Sequence, residues 1–289
     1  MKILFFFWVY IFLTTANAQY AANSYGYVCD INTREPIPFA TVKNITKRIA
    51  FYANERGEMN SEVNKGDTII ISCVGYEEMK MVVTARVDTF FLVPRQIVLK
   101  EVSVSTLALP EIRIGLVDKK LGFSVYNSGI LVEYAIKFSL PKTKDYYKVK
   151  TILLKAKKVS DNNNRIRLHI YKPDKFGFPG EEILPKDILI NNYNRKRGMV
   201  EIDISDLDFY VEDEIVFIGF ECVGKANKEF SKNGSKIEFT WANTEPISYS
   251  RTLLDPEHKW HIMDATSPFA AHHKIKEQVP NIMASIIIQ

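Results

Sequence analysis

Apolar residues return at every second position along much of this chain, a period that belongs to strands and not to amphipathic helices. Between Arg165 and Tyr171, the side chains of Ile166, Leu168 and Ile170 face one way, and those of Arg165, Arg167, His169 and Tyr171 the other. Between Met199 and Ser205, Val200, Ile202 and Ile204 point inward, while Glu201 and Asp203 point outward. Ile215 to Val223 is almost wholly apolar and reads as a central strand. Short β-branched and aromatic runs, parted by Gly, Pro, Asn and Asp, occupy most of the rest, and no segment keeps a helical period over three turns. The expected fold is all-β, and 289 residues leave room for two sandwich domains.

The first residues stand apart from that pattern. Lys2 precedes an unbroken apolar run from Ile3 to Leu13, and Ala16-Asn17-Ala18 has the small-x-small form of a cleavage site. Residues 1–18 are therefore expected to be a signal peptide, and the mature chain to be exported to the periplasm or cell envelope. Cleavage leaves Gln19 first, without the Cys that a lipid anchor needs. No later stretch has the length of a membrane helix. The formal charge of +4 is spread out; Lys155-Ala156-Lys157-Lys158 and Arg195-Lys196-Arg197 read as a solvated strand face and a turn, not as a nucleic-acid site. Cys29, Cys73 and Cys222 are too few for a disulfide framework and read as buried thiols, with Cys29–Cys73 the pair an oxidising compartment would favour.

From Ser24 to Ser105, seven or eight short strands alternate with turns, as in a compact sandwich. Gly26-Tyr27-Val28-Cys29-Asp30, Glu35-Pro36-Ile37-Pro38-Phe39-Ala40-Thr41-Val42 and Asn54-Glu55-Arg56-Gly57-Glu58 follow one another. Gly66-Asp67-Thr68-Ile69-Ile70-Ile71-Ser72, then Val74-Gly75-Tyr76-Glu77, and a closing Leu99-Lys100-Glu101-Val102-Ser103-Val104 complete the order. Residues 19–105 thereby resemble the carboxypeptidase-regulatory-like domain family of Bacteroidetes-type envelope proteins. The resemblance implies a seven-stranded, transthyretin-like sandwich. Domains similar to it also precede TonB-dependent glycan transporters, but this chain is too short for their barrel.

Residues 106–118, with Pro110, read as a linker, and residues 119–289 as a second sandwich. His169-Ile170-Tyr171, Gly177-Phe178-Pro179-Gly180-Glu181, Ile202-Asp203-Ile204-Ser205 and Phe217-Ile218-Gly219-Phe220-Glu221 resemble a jelly-roll domain. In outline that fold is similar to sandwich carbohydrate-binding modules, an analogy of fold alone. Asn281 to Ile288 is expected to form one late strand, and Pro256 to Val279 a long loop or short helix.

Catalytic patterns are missing. No His is followed at the third position by Glu, and neither His-Glu-x-x-His nor Gly-x-Ser-x-Gly occurs. Phosphate-cradling Gly motifs are absent as well, so no cofactor is expected. A metal reading rests on His258, His261 and Asp264, whose spacing fits no helical motif. His169, beside two Arg on the polar side of its strand, is expected to pair locally or meet solvent. For ligand binding, Trp260, Tyr249, Tyr193 and Trp241 are the candidates, as flat rings near strand ends and polar donors, although Trp241 follows Phe239 at period two and reads more readily as core. The sequence thus predicts a non-catalytic binding, docking or scaffold protein, with a glycan or an envelope protein as partner. A metal-dependent hydrolase using the late His cluster, or an accessory subunit of a glycan-uptake complex, is the alternative.

Overall fold

The computed structural model describes residues 24–60, 63–84, 89–96, 110–126, 131–157, 164–190, 198–224, 236–242, 247–255, 257, 259–264 and 279–289. Among them every element is a strand except one 3-10 turn at Ser205–Leu207, and the protein is all-β. No described helix is long and apolar enough to cross a membrane. Residues 1–23, which include the expected signal peptide, together with Tyr193, His258 and residues 97–109, lie outside the described residues.

The first unit is a sandwich of seven strands. One sheet sets β1 (Ser24–Asp30) between β4 (Glu58–Asn60) and, in parallel, β7 (Thr89–Leu92). The other runs β3 (Ile49–Tyr52), β2 (Thr41–Asn44), β5 (Thr68–Ser72), β6 (Met79–Val82), all antiparallel. Val28, Val42, Met59, Ile69, Ile71, Phe90 and Leu92 fill the space between the sheets. The alternation along each strand supplies these inward residues, as expected for two half-buried sheets packed face to face.

The second unit is a larger sandwich. Its first sheet follows β13 (Pro179–Glu182), β12 (Asn164–Pro173), β17 (Ile215–Gly224), β10 (Val132–Ser139), β19 (Ser248–Thr252) and β20 (His261–Ile262), with β14 (Leu189–Ile190) also on β12. The second sheet is built around β11 (Tyr147–Lys157), β22 (Ala284–Ile288) and β8 (Ile112–Gly115) on one side, and β18 (Lys236–Ala242) with β21 (Val279–Ile282) and β9 (Phe123–Tyr126) on the other. β15 (Met199–Asp203) and β16 (Tyr210–Val211) pair along β11. Ile136, Ile166, Leu168, Ile170, Ile218 and Phe220 from the first sheet meet Ile152, Leu154, Phe239, Ala284 and Ile286 from the second.

Two sequence expectations need correction. Residues 106–118 are not all linker, because Ile112–Gly115 pairs with β22 and belongs to the second unit. The single late strand expected over residues 281–288 is two. At Met283 the chain leaves β18, whose Glu238 carbonyl accepts from the Met283 amide, and passes to β11, whose Lys155 amide donates to the Met283 carbonyl.

The two units touch closely. Gly75 lies at φ +84°, and a Cβ there would sit 3.0 Å from the Pro185 carbonyl oxygen of the second unit. Only glycine satisfies both the left-handed backbone and that approach. Its neighbour Val74 packs into the second unit's core.

Candidate functional site

The outward face of the β12–β17–β10–β19 sheet carries the polar residues of the period-two pattern. Register places Arg251 opposite Glu133, Glu133 opposite Glu221, and Glu221 opposite Arg167. Four adjacent strands thus contribute one row of charges, cation–anion–anion–cation. One step along, Tyr249, Ala135, Gly219 and His169 form a second row. Here small residues leave space: a Cβ on Gly219 would lie 2.8 Å from the Glu133 carboxylate and 2.9 Å from the His169 Cβ.

The first sandwich covers this face. Arg167, only 1% exposed, donates from Nε and Nη2 to both Asp187 oxygens at 2.8 and 3.1 Å, and from Nη2 to the Phe39 carbonyl at 2.9 Å. Its Nη1 lies 3.3 Å from Glu221. Tyr52 donates its hydroxyl to Glu221 at 2.7 Å. Arg165 pairs with Glu55 at 2.7 Å and stacks on the Phe39 ring, and Arg95 donates to the Glu182 carbonyl. Buried charges survive only when paired in this way.

His169 sits between two carboxylates: Nδ1 is 2.7 Å from Glu182 and Nε2 is 3.2 Å from Glu221. Burial disfavours its imidazolium, but Glu133 and Glu182 outweigh burial and raise its pKa to about 10. Glu221 moves the opposite way. Burial favours its neutral form, yet the His169 hydrogen bond and the Arg167 charge hold it down at about 2. Tyr171 donates to Glu133 at 2.5 Å, and Arg251 donates to Glu133 at 2.9 Å and to the Tyr171 oxygen at 3.1 Å. Arg251 also stacks on Trp260, 4.5 Å from its ring centre.

Between the units Glu133, His169, Tyr171, Glu182, Glu221 and Arg251 border a cavity of about 420 Å³. Thr41, Ser72, Glu78 and Glu181 add hydroxyls and carboxylates to its wall. That size is ordinary for a small-molecule or saccharide site.

The sequence candidates fare differently. Tyr249 is buried in an aromatic cluster with Phe217 and Phe178 and offers no exposed ring, which corrects its assignment as a binding platform. Trp241 is half-buried and packs on Phe123 at 4.6 Å, in keeping with its period-two spacing after Phe239. Trp260 is half-buried against Tyr171 and Arg251, at the edge of the charged face. His261 is exposed on β20, and Asp264 is half-buried. Among the described residues, no three His, Cys, Asp or Glu side chains converge as metal ligands. Cys29, Cys73 and Cys222 are buried and unbridged.

The sequence places His169 on the polar face with Arg165 and Arg167, but both of its ring nitrogens meet carboxylates of other strands, Glu182 of β13 and Glu221 of β17, and not partners near it in sequence. What sequence reasoning missed is Glu133, Glu182, Glu221 and Arg251. For Glu133 and Glu221 the signal is an isolated charge within an otherwise apolar strand, visible in Phe220-Glu221-Cys222 and Val132-Glu133-Tyr134; Glu182, beside Glu181, and Arg251, in Ser248-Tyr249-Ser250-Arg251-Thr252, carry no such signal.

The fold and the cleft define an all-β protein of two joined sandwiches. No family model matches the chain, and no curated protein matches it. Among solved structures, the cysteine protease and lectin-like domains of Cwp84, a surface layer associated protein of Clostridium difficile, are similar at 11% identity and a TM-score of 0.41. That similarity covers 65% of this chain and 37% of the other. The infectious bursal disease virus Gt strain structure gives 11% identity and a TM-score of 0.25 over 88% and 61% of the two chains. This chain spans little more than a third of the first of these structures, and neither score reaches that of a shared fold.

Proposed function

We propose that this chain is an exported, non-catalytic envelope protein that binds a glycan in the cleft between its sandwiches, with the first sandwich as brace and docking unit. The observation that carries the reading is the state of the groups deepest in the cleft. His169 is held protonated by two carboxylates and so is no base. Glu221 is held ionised and so is no acid. Burial pushes the Cys73 thiol far up, away from the nucleophilic thiolate. General acid–base work needs groups poised near the working pH; His169, Glu221 and Cys73 are not, although Lys43 on the same wall is held down to about 8. What faces the cavity instead is a set of hydroxyls, carboxylates and planar side chains suited to sugar hydroxyls.

Export rests on Lys2, the Ile3–Leu13 run and Ala16-Asn17-Ala18. The carboxypeptidase-regulatory-like assignment of residues 19–105 rests on the motif order and agrees with the seven strands between Ser24 and Leu92. A glycan array with the purified mature chain tests the binding reading. Retention of a glycan, weakened by Glu181→Gln and left unhydrolysed on long incubation, is expected. Hydrolysis of the retained glycan overturns the non-catalytic assignment, and an array with no retained glycan overturns the ligand class.

A further inference from the structure

One amine stands apart from the other groups of the cleft. Lys43 lies on β2, where register sets it opposite Ala50 of β3 and Ile70 of β5. It is 5% exposed, yet it lines the cavity between the units and also a second cavity of about 370 Å³. Ile45, Ile49, Leu253 and Leu254 form the aliphatic wall of that second space, and Leu253 lines both. The side chain of Lys43 is thus shielded from bulk water and still reached from within the cleft.

Lys43 is a paired charge. Glu78, then Glu221 and Glu133, favour its ammonium. Burial opposes them most strongly, the Arg251 guanidinium adds to burial, and the balance holds the group down to about 8. Arg48 lines the second cavity from the β2–β3 turn, and Arg95, Arg167, His169, Glu181 and Glu182 stand around the first. A desolvated amine beside another cation is how a lysine becomes a nucleophile near neutral pH. At pH 7 about one Lys43 in ten is the neutral amine, against about one in three thousand for a lysine at its ordinary 10.5.

Resting on the glycan reading above, we infer that Lys43 is a covalent anchor for a reducing sugar, joining its amine to the open-chain aldehyde while the sugar hydroxyls lie in the polar cavity. The neutral Nζ attacks the aldehyde carbon, the carbonyl electron pair moves to oxygen, and that oxygen takes a proton from the nitrogen. The C–O bond of this carbinolamine then breaks, water leaves with the second amine proton, and a C=N bond forms. Nothing is oxidised or reduced. Protonation makes the imine a cation, and the carboxylates that favour the ammonium favour it as well. Addition of water releases the sugar unchanged, so capture is stoichiometric and involves no turnover. Glu78, Glu133, Glu181, Glu182 and Glu221 in the same wall disfavour a carbonyl ligand that carries its own carboxylate.

Incubation of the mature chain with D-glyceraldehyde, the smallest aldose, and with cyanoborohydride, which reduces an imine to a stable amine, tests this by peptide mass mapping. At pH 7 the adduct is expected to form at Lys43 on the order of tenfold faster than at the exposed Lys80 and Lys175. That figure is the gain in neutral amine less the poorer nucleophilicity of a weaker base. The Lys43 rate should level off above about 8, whereas the rates at Lys80 and Lys175 keep rising. Glu78→Gln, which removes a pull toward the ammonium, should speed the Lys43 adduct at pH 7 and leave the exposed lysines unchanged. A Lys43 rate no greater than theirs, or one that keeps rising well past 8, overturns the inference. The glycan array decides the underlying reading separately, because glycans attached to it through the reducing end offer no aldehyde. Retention there without a Lys43 adduct overturns covalent capture alone, and neither retention nor adduct overturns both.

Discussion

The Tyr52 hydroxyl of the first sandwich donates to the Glu221 carboxylate of the second at 2.7 Å, across 169 residues of sequence. It joins the two units at the centre of the buried charge row. Removing it leaves Glu221 with Arg167 and His169 but one donor short. Tyr52→Phe is expected to cost about 1.5–3 kcal/mol, the range for a hydrogen bond to a charged group. Urea unfolding followed by fluorescence should show a lower midpoint with an unchanged slope.

Gly219 is the space that lets the charged row close. Gly219→Ala places a methyl 2.8 Å from the Glu133 carboxylate and 3.0 Å from the Tyr171 ring. Neither neighbour moves freely, because Glu133 is held by Arg251 and Tyr171. The expected loss is about 1–3 kcal/mol, as for other overpacked sites, read as a lower melting temperature. A neutral result would show that the face has slack the geometry denies.

Stability should peak in mildly acidic buffer. The pKa of Glu221 falls from 4.5 to about 2 on folding, so its contribution is full above 4.5 and lost as pH drops toward 2. That of His169 rises from 6.5 to about 10, so its contribution is full below 6.5 and lost as pH climbs toward 10. Both are complete only between about pH 4.5 and 6.5. Chemical denaturation across pH should find the maximum there, and His169→Gln should flatten the alkaline limb.

The thiols should be inert in the folded protein. All three are buried, and burial pushes Cys222 up to about 12. A thiol reagent is expected to titrate none of them under native conditions and all three in denaturant. Reaction of Cys222 alone in denaturant would reveal a Cys29–Cys73 bridge.

Much of the fold was legible because its cause is local. The alternation of Ile166, Leu168 and Ile170 with Arg167, His169 and Tyr171 states which side of β12 is core, and the structure buries those three aliphatic residues against the opposite sheet. The break at Met283 was not legible, since both flanking segments are apolar and only the change of partner from β18 to β11 separates them. The site was legible in part. His169 stood out beside Arg165 and Arg167, but its partners lie on β13 and β17, and strand register, not spacing along the chain, brings them together. Ranking aromatic rings led to Tyr249 because a ring's face cannot be read from its neighbours in sequence. It lies across from Ala135, under Phe178 and Phe217.

The row Arg251–Glu133–Glu221–Arg167 also governs how the sheet can assemble. Sliding any one of these strands by a single residue turns its charge into the oily interior between Ile136, Leu168 and Phe220. Each mismatched pairing then carries an ion with no counterpart. The charges therefore proofread the alignment of four strands distant in sequence, and they act before any ligand reaches the finished protein.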